Sequence, residues 1–219
     1  MRAILIIETS TDAASLALAA DGRIVAEKGF VSDRRHNALL FTPLAEILAE
    51  LGNPGLDAVL CGSGPGSYSG TRVGIAAAQG AALVAGCKAV AVPSLLATAD
   101  ALSGEPCLAV GDARRGSFWL ADIAGGEMTG EPRLTDKSGF EAAVINSREN
   151  GIRCFSMERM GGEDIQFARP TATGLWQAWQ NAPAKTRALW AGKVPQPIYL
   201  APPHITPSKK AVFGSARAD

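Results

Sequence analysis

Glu8, at the end of a continuous apolar run over residues 3–7 and followed by Thr9, Ser10 and Thr11, is the first residue of this chain that could do chemistry. A carboxylate past the end of a buried strand can act as a base or hold a metal through water, or it can be a polar strand end tied down by neighbouring amides. Asp112, after a later apolar run, is its one obvious companion. The second candidate is the nine-residue stretch 62–70, which holds four glycines and Pro65 and ends at a helical pattern. Its backbone amides could cradle a phosphate at the helix start, with Thr9, Ser10, Gly64, Gly66, Ser67 and Gly70 around it; equally, the glycines could let the helix dock closely on a sheet. It is no P-loop, since the Gly-Lys-Ser/Thr ending is missing.

The remaining reactive residue types offer less. The chain has two histidines, His36 and His204, and Leu40 occupies the position four residues after His36, so this helix lacks the two-histidine face of a zincin-type site. No Cys-x-x-Cys pair occurs among Cys61, Cys87, Cys107 and Cys154, so we expect no metal site of the chain's own. Gly66-Ser67-Tyr68-Ser69-Gly70 does not place its serines as a nucleophile elbow requires, and no catalytic residue is assigned.

The elements that must position these residues follow from hydrophobic periodicity. Residues 3–7 read as a central strand, and 15–20 and 23–29 as a hairpin about Asp21-Gly22. Residues 34–51 read as a helix that Pro43 should kink or restart. A strand at 58–61, the glycine loop, a helix at 71–85 and a strand at 88–92 come next. A short helix at 95–102 follows, with Ser94 as its cap. Residues 107–111 and 117–123 read as a further hairpin, 125–139 as a linker, 140–145 as a helix, 151–156 as a strand and 171–180 as a helix. The proline-rich residues 195–207 read as irregular and 208–219 as a disordered tail. No repeat of regular period is visible. The pattern is that of a mixed sheet with helices on its faces.

Composition narrows the classes. With 219 residues, 47% hydrophobic and 19% charged, the chain is sized for one large or two small domains. Twenty-one basic residues balance 21 acidic ones, so no global field attracts nucleic acid. Without a signal-like start or a membrane span, the expected location is the cytoplasm, with reduced thiols.

The helix at 71–85 is the most unusual element. Thr71, Arg72 and Gln79 are its only polar side chains, and small residues recur at fourfold spacing as Gly74, Ala78 and Ala82 and as Ala77, Ala81 and Ala85. A helix apolar all round must be covered all round, and here one cover is expected to lie outside the chain.

These features together resemble the TsaB family, also called YeaZ, of bacterial tRNA threonylcarbamoyladenosine biosynthesis proteins. The residues that carry the resemblance are 6–11 after the first strand, His36 in a leucine-rich helix with Pro43, the run 62–74 above all, Pro93-Ser94-Leu95, and residues 197–200. It covers residues 1–123 and the end, and nothing is aligned between 125 and 195. The chain departs from the family pattern at Glu8, Ser63, Tyr68, Ser69 and Ala201, where the family carries aspartate, arginine, phenylalanine, threonine and arginine. Losing the arginine at Ser63 weakens the case for phosphate binding.

The resemblance implies an actin-like ATPase (ribonuclease H-like) α/β fold of two related lobes of mixed sheet flanked by helices, the second reduced. The expected division is 1–102 for the first lobe, 103–207 for the second and 208–219 for the tail. It further implies a non-catalytic subunit that pairs with TsaD; the pair recruits the ATPase TsaE and serves threonylcarbamoyl transfer to adenosine 37 of tRNAs reading codons that begin with A. ATP or ADP with magnesium would bind only within the complex, and tRNA only through it. The dimer contact would use the helices near 36–51 and 71–85, with His36, Leu40, Leu44, Ile47, Arg72, Ala78 and Ala82 as interface candidates, and homodimers are expected when the partner is absent. The competing reading is an enzyme, either an actin-like nucleotide hydrolase or a glycoprotease of the peptidase M22 type.

Overall fold

The structure is a computed structural model that describes residues 3–32, 36–51 and 55–200. Its first sheet is built from β1 (Ala3–Glu8), β2 (Ala13–Ala20), β3 (Arg23–Val31), β4 (Leu56–Gly62) and β5 (Lys88–Val92), in the order β3-β2-β1-β4-β5. The chain turns between β2 and β3 at Asp21 (φ 49°) and Gly22 (φ 82°), the pair of left-handed residues a two-residue hairpin needs. β1 runs antiparallel to β2 and parallel to β4, which is parallel to β5. Being apolar on both faces, β1 feeds two cores. Leu5 and Ile7 join Leu16, Val59 and Cys61 on one side, and Ile6 joins Leu60 and Val92 on the other.

The first core is closed by α1 (His36–Leu39), α2 (Phe41–Leu51) and α3 (Tyr68–Ala85). The helix expected over residues 34–51 breaks at Leu40. Pro43 then falls in the first turn of α2, where a missing amide costs no intrahelical bond, and Leu44 N donates to Leu40 O at 3.1 Å. α3 starts three residues earlier than expected, because the Ser67 hydroxyl accepts from Gly70 N and caps it; it ends at Gly86, φ 66°.

The short helix expected at 95–102 is instead a 3-10 turn, Ser94–Ala97, followed by α4 (Ala99–Leu102), which Thr98 caps. Ser94 is therefore no cap; its hydroxyl accepts from Gly64 N at 3.0 Å.

The second sheet contains β6 (Cys107–Arg114), β7 (Ser117–Ala124), β8 (Glu127–Met128), β9 (Arg133–Asp136), β10 (Arg153–Ser156) and β11 (Ile165–Phe167). Its order is β11-β10-β6-β7-β8, with β9 also on β7. β6 pairs antiparallel with β7 and parallel with β10, and β10 is parallel with β11, so β9-β7-β6-β10-β11 repeats the pattern β3-β2-β1-β4-β5. This is the duplicated actin-like, ribonuclease H-like α/β arrangement, its later strands shortened. The stretch expected as a linker, 125–139, supplies β8 and β9, and Asp136 accepts from Gly139 N to cap α5 (Lys137–Glu149), which runs well past both ends of the helix expected at 140–145.

After β11 the chain returns to the first sheet. α6 (Ala172–Asn181) lies on it, with Ala172 N donating to Ser15 Oγ at 2.8 Å, and α7 (Ala184–Ala191) packs against β5. A Cβ on Gly174 would overlap Ala97 O, which is how closely α6 meets the 3-10 turn. One buried core therefore joins Ile6 and Val92 of the first sheet, Ala109, Trp119 and Phe155 of the second, and Leu175 and Trp176 of α6. The sheets part between Val92 and Cys107, whereas packing crosses the expected 102/103 boundary. The expected tail 208–219 and the ending beyond Leu200 lie outside the described residues, as do residues 33–35. Among the described residues no helix is long and apolar enough to cross a membrane.

Candidate functional site

The carboxyl end of β1 meets the glycine loop directly. Glu8 is fully buried; its Oε1 accepts from Ser10 N at 2.6 Å and its Oε2 has no partner. Burial pushes its carboxyl above the ordinary range, against the Ser10 hydroxyl and amide, the Ser94 hydroxyl and the Thr9 amide, which favour the charged form. Gly62 is obligatory here, since a Cβ would overlap Glu8 Oε2.

Four of the loop amides are bonded within the protein. Ser63 N donates to Val92 O (2.9 Å), Gly64 N to Ser94 Oγ (3.0 Å), Ser67 N to Ser10 O (2.6 Å) and Gly70 N to Ser67 Oγ (3.2 Å). Thr9 Oγ1 donates to Gly70 O at 2.8 Å, and Cβ atoms on Gly66 and Gly74 would overlap Ser10 O and Thr9 Oγ1. Glu8, Thr9, Ser10, Gly64, Gly66, Ser67 and Gly70 are thus brought together in a tight docking turn. These four amides are already bonded within the protein, which counts against a phosphate cradle built on them. Asp112 accepts from Arg114 N (2.6 Å) and pairs with Arg114 Nη1 (2.9 Å).

Among the described residues no three His, Cys, Asp or Glu side chains group to hold a metal ion, and the side chains of both histidines lie outside the described residues. Burial pushes the Cys61 and Cys154 thiols up to about 12 and Cys107 to about 11, so they sit as small hydrophobes rather than nucleophiles.

The second candidate surface lies between α2 and α3. Phe41, Leu44 and Leu48 face Val73, Ala76, Ala77, Gly80, Ala81, Val84 and Ala85 across an almost wholly apolar groove of about 670 Å³. Phe41 is 58% exposed, Leu83 83% and Val84 90%. Of the two rows of small residues in α3, Gly74, Ala78 and Ala82 pack on the sheet, while Ala77, Ala81 and Ala85 line the groove.

Most of the expected interface residues are therefore displaced. Leu40 and Ile47 are fully buried, and Ala78 (0%) and Ala82 (3%) face the first sheet, where no partner reaches them without unfolding the core. Leu44 forms part of the groove floor. His36 opens α1, its side chain outside the described residues. Arg72 is exposed but engaged: Nε and Nη2 donate to Tyr199 Oη at 3.1 and 2.7 Å, and the guanidinium lies 3.8 Å from the Tyr68 ring centre. The segment bearing Tyr199 straps α3, with Gln79 Nε2 donating to Pro195 O and Ile198 N to Ser63 O. Among the groove residues that sequence reasoning did not name as interface are Phe41, Leu48, Val73, Ala76, Gly80 and Val84. Gly80, a second glycine inside a helix with open space where its Cβ would stand, is the signal that could have found them.

Residues 24–172 match the family model described as TsaD, tRNA N6-adenosine threonylcarbamoyltransferase. The chain is 30% identical over 184 residues to the tRNA threonylcarbamoyladenosine biosynthesis protein TsaB of Escherichia coli (strain K12), spanning 81% of this chain and 74% of that one. It is 34% identical over 129 residues to the protein of the same description from Haemophilus influenzae, spanning 55% of this chain and 53% of that one. Among solved structures it superposes on an uncharacterised Pseudomonas aeruginosa protein with similarity to peptidase YeaZ, at a TM-score of 0.71 and 26% identity, over 92% of this chain and all of the other. Sequence, sheet order and superposition agree: the chain belongs to the family of TsaB (YeaZ), within the wider TsaD family.

Proposed function

We propose that this chain takes part in making N6-threonylcarbamoyladenosine on tRNA as a non-catalytic subunit, and that it pairs with a TsaD-type catalytic subunit through the α2–α3 groove. The observation that carries the reading is that groove: an apolar trough beside Leu83 and Val84, which stand almost fully in water. Exposed apolar area of this kind is unfavourable alone and favours association. The four loop amides bonded within the protein and the buried Glu8 support a subunit without a nucleotide site of its own, with any ATP or ADP and magnesium held only in the complex and TsaE recruited by the pair. The hydrolase and glycoprotease readings draw no support from these residues.

The test replaces Val84→Asp. At 90% exposure the charge is tolerated in the free chain, but it would be buried unpaired beneath a partner, costing several kcal/mol. Co-purification with TsaD, and self-association in its absence, are expected to be lost. A folded Val84→Asp protein that pairs like its parent overturns the groove assignment.

A further inference from the structure

The carboxyl-terminal edge of the second sheet gathers positive charge that none of the roles above uses. β6, β10 and β11 run parallel, with Ser156 opposite Phe167, so the residues after each strand emerge side by side. Along this edge stand Arg114 and Arg115, then Arg159, then Phe167 and Arg169. Asp112 and Glu158 are bridged by Arg114 (2.9 and 3.5 Å), and Asp12 of the first lobe pairs with Arg169 at 3.7 Å. Arg115 and Arg159 are exposed, and neither is ion-paired with a carboxylate among the described residues. Arg115 (φ 58°) and Gly116 (φ 77°) form the two-residue turn between β6 and β7, which holds the Arg115 side chain at a hairpin tip. Phe167, 39% exposed, has the guanidinium carbons of Arg159 and Arg169 at 4.8 and 5.1 Å from its ring centre.

An exposed ring flanked by two guanidinium groups is suited to stacking a flat group, and an exposed arginine along the same sheet edge to a phosphate. A carboxylate-bearing peptide would use the charges and leave the ring idle, whereas a single RNA strand uses both. The chain as a whole is neutral, so this is a local feature and not the reach of a global field. We propose that the carboxyl edge of the second sheet binds a single-stranded RNA segment. One base stacks on the Arg159–Phe167–Arg169 cluster, and a neighbouring phosphate meets Arg115. The choice of RNA rests on the tRNA-modification reading above; the surface shares no residue with the α2–α3 groove.

The experiment measures fluorescence anisotropy of a labelled RNA stem-loop with an unpaired loop, at low ionic strength, on the full chain alone and paired with TsaD. Phe167→Ala is expected to weaken binding on the order of tenfold. Arg115→Ala with Arg159→Ala is expected to lower the slope of log affinity against log salt by roughly one to two. Should Phe167→Ala fail to fold, Arg159→Ala alone, at an exposed side chain, reports the same loss. RNA affinity unchanged in these variants, or no binding by the parent in either form, overturns the proposal. Equal binding of poly-glutamate with no effect of Phe167→Ala also overturns it and points to an acidic protein surface. Pairing with TsaD is read on the same variants and is expected to stay intact, so failure here leaves the groove reading standing.

Discussion

Glu8 shows how one residue's chemistry is set by its surroundings. The same carboxyl that in open solvent could serve a metal is enclosed beside Gly62, with one oxygen on Ser10 N and the other unpartnered. Its folded pKa is raised above the 4.5 of a free side chain, chiefly by burial. Between those two values the folded state keeps a proton that the unfolded state has released. Stability therefore falls as pH rises from about 4.5 through the folded value and is level above it. Glu8→Gln removes the ionisation while keeping the shape, so urea unfolding is expected to show a flatter pH profile and a variant at least as stable as its parent at neutral pH. A profile that keeps the parent's slope would show that Glu8 is not the titrating group. That Glu8 would be polar and follow a strand was legible in the sequence. Its burial was not, because the glycine loop that encloses it lies some fifty residues away.

On the scale of elements, two of the three glycines of α3 have opposite roles. Gly74 touches Thr9, and its Cβ would overlap Thr9 Oγ1; Gly80 has nothing within 4 Å of a Cβ. Gly74→Ala is therefore expected to cost about 1–3 kcal/mol by overpacking. Gly80→Ala is expected to stabilise the free chain by about 0.5–1 kcal/mol through helix propensity. Denaturant midpoints of the two variants check both signs. If the partner approaches closely along the groove, Gly80→Ala also weakens pairing, so that stability and association move in opposite directions. The two rows of small residues were legible as a pattern. Which row faces the sheet was not, since the angle of a helix about its own axis is decided by what it packs on.

For the whole molecule, the shared core decides behaviour. Two sheets of the same topology are tied together by α6, which leaves the second sheet to cover the first, so residues from both lobes are buried in one cluster. Such a molecule should unfold as a unit. Cys61 lies in the first sheet and Cys154 in the second, both buried with strongly raised pKa values. Their labelling by a thiol reagent across a urea series is expected to share one midpoint, and separate midpoints would show lobes that open independently. The amino-acid sequence by itself determined what depends on near neighbours: the apolar strands of the first lobe, the Asp21-Gly22 turn, the glycine loop before α3 and the excess of apolar surface on that helix. Tertiary structure decided what depends on distant partners. Ser10 O and Ser94 Oγ tie the glycine loop to β1 and to the turn after β5, the repeated strand order emerges without a repeated sequence, and β8 and β9 form where polar residues read as a linker. Hydrogen bonds and contacts between residues dozens of positions apart leave no periodicity behind, and only the folded chain brings their partners within reach.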